Sequence, residues 1–204
     1  MAARAAVVTI ADLGSRIPSG VLPGVPILGR AAARAGFQTA AFFANGWVDV
    51  GTGVLTGFEK IERRPSRQVL SRGVAWLEQE RRRDVPFVLY LHWVDAHGEV
   101  HRKQKRREAA ALPDRERREL VAEAPGGTCD DPAGEACLRY LSYEREIEIQ
   151  RHDAAELLTF LQVHGLLDDT LVVLFSDHGE EFGEHRDEEA RRGADPRGIY
   201  GLGH

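Results

Sequence analysis

Three continuous apolar runs punctuate the chain: Thr39–Ala44 (TAAFFA), Pro86–Trp93 (PFVLYLHW) and Thr170–Phe175 (TLVVLF). None alternates polar with apolar positions. Unbroken runs of this length suit strands that are buried on both faces, so they predict parallel strands with helices above and below the sheet. The stretches between them carry helical spacing. Val25–Ala35 predicts a helix that Gly36 ends, because glycine reaches the left-handed conformation that closes a last turn. Ser66 predicts the cap of a second helix reaching about Arg83, with Val69, Leu70, Val74 and Leu77 inward. Tyr140–Val163 predicts a long helix with Ile147, Leu157, Leu158 and Leu161 on its apolar stripe and Gly165 as its stop. Alternating helix and strand imply an α/β sandwich around a mostly parallel sheet.

Two stretches break this pattern. About residues 98–137 read as a charged insertion, in which HRKQKRREAAALPDRERREL is followed by a glycine- and proline-rich tail. Its arginines could form a rim for anions. They are interleaved with Glu108, Asp114, Glu116, Glu119 and Glu123, which favours a solvated helix and loop. Residues 184–200 form a second charged stretch, expected to be a mobile loop. The full length of 204 residues suits one domain. The net charge of -5 and the scarcity of aromatics in the basic stretch argue against a nucleic-acid partner. No apolar run approaches the ~20 residues of a membrane span. The start, MAARAAVVTIADLGS, does not read as a secretory signal, which leaves the compartment open. Cys129 and Cys137 flank DDPAGEA, either as two thiols or as a small disulfide-closed loop.

Candidate chemistry gathers where apolar runs end. Ser176-Asp177-His178-Gly179-Glu180 follows TLVVLF directly, and open parallel sheets build ligand sites at the carboxyl ends of their strands. An adjacent carboxylate and imidazole can share one divalent cation, although such a pair also occurs in plain surface turns. Asp95 and His97 follow the PFVLYLHW run. An imidazole there can bind a tetrahedral anion or protonate a leaving oxygen, or it can merely cap a loop. His92, inside the strand, reads as a packed residue rather than a catalyst.

These segments together resemble the sulfatase family of the alkaline-phosphatase-like superfamily. LHWVDAHGEV is similar to the segment where a strand ends in Asp-Pro-His, with Ala96 in place of the proline. GLLDDTLVVLFSDHGEEFGEH is similar to the segment that delivers an Asp-His or Asp-Asn metal pair. LPGVPILGRAAARAGFQTAAFFANGW resembles a helix, Ala-Gly-Tyr and Thr-Ala-Ala-Phe stretch, with Phe37 for the tyrosine. GVLTGFEKI resembles the Gly-Phe-Asp segment after it. The order holds over roughly residues 20–204.

The resemblance implies an αβα sandwich, incomplete here, and hydrolysis of a sulfate ester by the full-length parent. Asp177 and His178 would hold a divalent metal, by expectation calcium. His97 and His204 would contact the anion's oxygens and assist the leaving group, on a small sulfated or phosphorylated ester. His185 reads as structural, and Glu180 and Glu181 as supporting or solvated. The chain departs from the family in three places. No acidic pair stands near the start, where Asp12 is alone. No Cys-or-Ser-x-Pro-x-Arg nucleophile is found, since GSRIPSG has the wrong order. Arg151 replaces a usual aspartate on the long helix. The expectations are therefore a chain that begins after the nucleophile, is inactive by itself, and is poorly soluble because a sheet edge is exposed. Phosphoester or phosphonate hydrolysis, or phosphoglycerol transfer, is the sister reading. A non-catalytic module binding anions or a partner is the reading from another class.

Overall fold

A computed structural model of the chain describes residues 21, 25–48, 50–97, 102–176, 178–180, 182 and 191. They fall into two compact units, residues 1–94 and 95–204.

The first unit is built on three parallel strands, β1 (Gln38–Phe43), β2 (Lys60–Arg63) and β3 (Phe87–His92), in the order β2-β1-β3. The run TAAFFA takes the centre, where every residue of β1 is buried. Register pairs Gln38 with Phe87, Ala40 with Leu89 and Phe42 with Leu91. These positions share one face, because side chains alternate along a strand. Helix α2 (Ser66–Gln79) covers that face: Gly73 lies directly over Leu91 and Leu89, and Trp76 meets Phe87 edge-on at 6.2 Å. On the opposite face Ala41 and Phe43 join Leu55 and Phe58, with Val88 and Tyr90 against them. Helix α1 (Leu28–Arg34) packs there, with Gly29 pressed against Phe58 so closely that a side-chain carbon would collide. Helices therefore lie against both faces of a parallel sheet, as the alternation of runs implies.

Gly36 ends α1 as expected. With φ at 82° it donates its N–H to the Ala33 carbonyl, while Phe37 donates to Ala32, and the last carbonyls are satisfied. Ser66 behaves differently from expectation. Pro65 is the residue before the first turn, no side chain caps the helix, and Ser66 Oγ instead accepts the Val94 N–H at 3.1 Å. Its hydroxyl thus fastens the exit of β3 rather than the start of α2. Strand β2 was not among the sequence expectations: KIER is short, polar and mostly half-buried, so it carries no apolar signature.

The second unit is helical. Helices α3 (Arg102–Ala110) and α4 (Asp114–Glu123) pack on the long α5 (Glu135–Val163). Ala109, Leu112, Cys137, Tyr140, Leu141 and Phe182 form its core, and a Cys129–Cys137 disulfide closes the loop before α5. Residues 102–123 thus form two helices, of which α3 buries Ala109 while Leu120 and Val121 of α4 are half-buried against the core. Helix α5 begins at Glu135, earlier than the apolar stripe suggests, with an acidic residue in the first turn where the helix dipole favours it. Gly165, at φ 64°, closes α5 as expected: its N–H goes to Gln162, and that of Leu166 goes to Leu161.

Two expectations are corrected. Ile147 and Leu158 are exposed on α5 rather than inward, and only Leu161 of the expected stripe is fully buried. The run TLVVLF forms no strand. Leu171 to Phe175 are 42–77% exposed. A continuous apolar run meets the side-chain requirement of a buried strand, but a strand also needs a neighbouring backbone to pair with. Among the described residues this run pairs with none.

Candidate functional site

His97 stands five residues beyond the end of β3, in the turn that opens the second unit. Its side chain is 46% exposed, so an external ligand can reach the ring. Nδ1 lies 3.9 Å from Oε1 of Glu180. The Glu180 side chain is only 7% exposed, and its other oxygen lies 3.9 Å from the Arg139 guanidinium. Both distances are ion-pair contacts rather than hydrogen bonds. A carboxylate this deeply covered requires compensating positive charge, which Arg139 supplies.

Arg139 projects from the first turns of α5. Its guanidinium also sits over the Phe182 ring at 6.0 Å. Phe182 is held edge-on by Tyr140 and at a tilt by Tyr143, both at 5.4 Å between ring centres. The segment after Asp177-His178 is thus anchored in the helical core two residues past Glu180. Burial, then the charges of Glu144 and Glu180, push the Tyr143 phenol above its usual range. Burial first, then Glu144 and Glu123, push Tyr140 up to about 12. Both rings therefore stay neutral at physiological pH.

His178 is exposed, and its Nδ1–H donates to the Gly179 carbonyl at 2.6 Å. The Ser176 hydroxyl donates to the His178 carbonyl at 2.5 Å. A ring nitrogen tied to a backbone carbonyl leaves Nε2 with the lone pair, the arrangement usual for metal-ligating histidines. Asp177, His185 and His204 lie outside the described residues, as does the charged stretch 184–200 except Arg191. Among the described residues no group of three or more His, Cys, Asp or Glu could hold a metal ion. One imidazole suits a ligand, but it does not make a site for a cation that takes about 6–8 oxygen contacts. The described residues therefore do not by themselves fit a divalent ion.

The structure brings together His97 and Glu180, from segments that are 83 positions apart in the chain. Sequence reading singled out His97 but gave Glu180 only a supporting or solvated place, and it did not single out Arg139 or Phe182. The one available signal was Phe182, an aromatic residue two positions after Glu180 in a charged stretch. Arg151, the departure on α5, lies on the exposed face and pairs with Glu148 at 2.5 Å. That pair holds the Glu148 carboxyl below its usual range, with the Arg151 hydrogen bond as the main cause.

Comparison with known proteins adds one finding. The family model for sulfatases matches residues 14–201, so His204 falls just beyond the matched segment. No curated protein and no solved structure matches the chain.

Proposed function

Since the chain belongs to the sulfatase family, whose members act on sulfate esters and generally use a divalent metal, we propose that it carries the anion-contacting part of a sulfate ester hydrolase site. His97 contacts the ester's oxygens through Nε2 and hands a proton to the leaving oxygen. His204 is the second contact to those oxygens, and Asp177 and His178 are the metal-side pair. The nucleophile has no candidate in this chain, so the polypeptide by itself does not turn over. The observation that carries this reading is the match over residues 14–201, with His97 placed beside the segment that follows Asp177-His178.

Inorganic sulfate titrated into the chain should shift the His97 ring signals in proton–nitrogen spectra. His97→Ala should abolish saturable binding. An aryl sulfate incubated with the chain and calcium should release no phenol. Hydrolysis of the aryl sulfate by the chain alone would overturn the claim that it lacks a nucleophile. Absence of any sulfate-dependent shift at His97 would remove that residue from the site. Saturable binding of phosphate with none of sulfate would move the reading to phosphoester chemistry.

A further inference from the structure

Glu180 has an environment that a solvated carboxylate lacks. Its charge is covered, it faces Arg139 on one oxygen and His97 Nδ1 on the other, and the Arg139 side chain is itself only 14% exposed. Arg139 rests on Phe182, and Phe182 is set in the core with Tyr140, Leu141 and the disulfide-bonded Cys137. A rigid line of support therefore runs from the packed core to a half-open imidazole.

We infer that Glu180 is a positioning residue for His97: its carboxylate, oriented and neutralised by Arg139, keeps a proton on Nδ1 and makes Nε2 the only ring nitrogen that exchanges with a ligand. The chemical logic is general. A histidine with one nitrogen drawn into hydrogen-bonding reach of an anion is held by it in one tautomer and one ring orientation. Protonated His97 then carries N–H groups on both nitrogens. When Nε2–H passes its proton to a leaving oxygen, the neutral ring left behind is the Nδ1–H form, which Glu180 already favours. The 3.9 Å separation is of the kind that tightens when a ligand loads the ring from the other side. The inference rests on the proposed contact of His97 with the ester's oxygens, but its test does not.

The test is a long-range proton–nitrogen spectrum of the His97 ring, recorded on the full chain at a pH where the imidazole is neutral. The wild-type ring should be in the Nδ1–H form. Glu180→Ala should convert it to the Nε2–H form that free histidine favours, whereas Glu180→Gln, which keeps an accepting oxygen, should retain the wild-type form. A wild-type ring already in the Nε2–H form overturns the inference, and so does a Glu180→Ala ring unchanged from wild type. If Glu180→Ala does not fold, the wild-type spectrum still decides. Adding inorganic sulfate separates the two readings. A held Nδ1–H ring that ignores sulfate removes the anion contact and leaves the positioning role standing.

Discussion

At the scale of single residues, ionisation follows what the fold places around each group. Tyr140 lies in the helical core, and its phenol is pushed up to about 12 chiefly by loss of solvent. An unfolded tyrosine ionises near 10.0. The neutral ring is thus favoured by the folded state, so its contribution is complete below pH 10 and is lost as pH rises towards about 12. Denaturant melts over that range should show stability falling, and Tyr140→Phe should flatten part of the fall. An identical slope in the variant would mean that the ring is not held neutral by the fold. Glu62 obeys the same rule with opposite sign. Its hydrogen bond to Arg72, helped by Arg64, holds the carboxyl low against the opposing effect of burial. Its contribution is therefore present above the ordinary carboxylate range and is lost in acid. Neither environment was legible beforehand: Glu62 and Arg72 are ten positions apart and meet only because α2 packs on the sheet that β2 edges.

At the scale of elements, the runs told more about what must be buried than about what is paired. TAAFFA and PFVLYLHW became β1 and β3 nearly as bounded, whereas TLVVLF did not become a strand. Its exposed apolar side chains match the sequence signature of a segment prone to self-pairing: β-favouring, uncharged and free of proline. Val173→Asp should therefore raise the concentration at which the chain stays monomeric, by several-fold in light scattering, with little change in helical circular dichroism. No gain in solubility would place the association elsewhere. The charged stretch before α5 teaches the converse. Its few apolar residues, Ala109 and Leu112 among them, were too sparse to signal a core, yet they pack with the disulfide against α5 and receive Phe182. Sparse hydrophobics can make a core when a long helix supplies the other half of it.

For the whole molecule, the sulfatase family and its α/β fold agree with four segments read in order, and the family model spans nearly all of the chain. His178 gives its Nδ1–H to a backbone carbonyl, and the described residues supply no metal-binding cluster around it. Calcium titrated into the chain by calorimetry should bind no tighter than about 1 mM, the weak end for calcium modules. A micromolar constant would mean that residues outside the described set complete a centre around Asp177 and His178.

The sequence alone determined the parallel strands β1 and β3, the stops at Gly36 and Gly165, and the family. Each of these depends on local spacing or on segments in order, and both are written along the chain. Only the tertiary structure decided that β2 joins the sheet, that TLVVLF pairs with nothing described, and that Ser66 fastens the end of β3. It alone closed the Cys129–Cys137 bond and set Glu180 between Arg139 and His97. Those outcomes depend on which distant groups become neighbours and on how much water they lose, and neither quantity can be read from spacing along the chain.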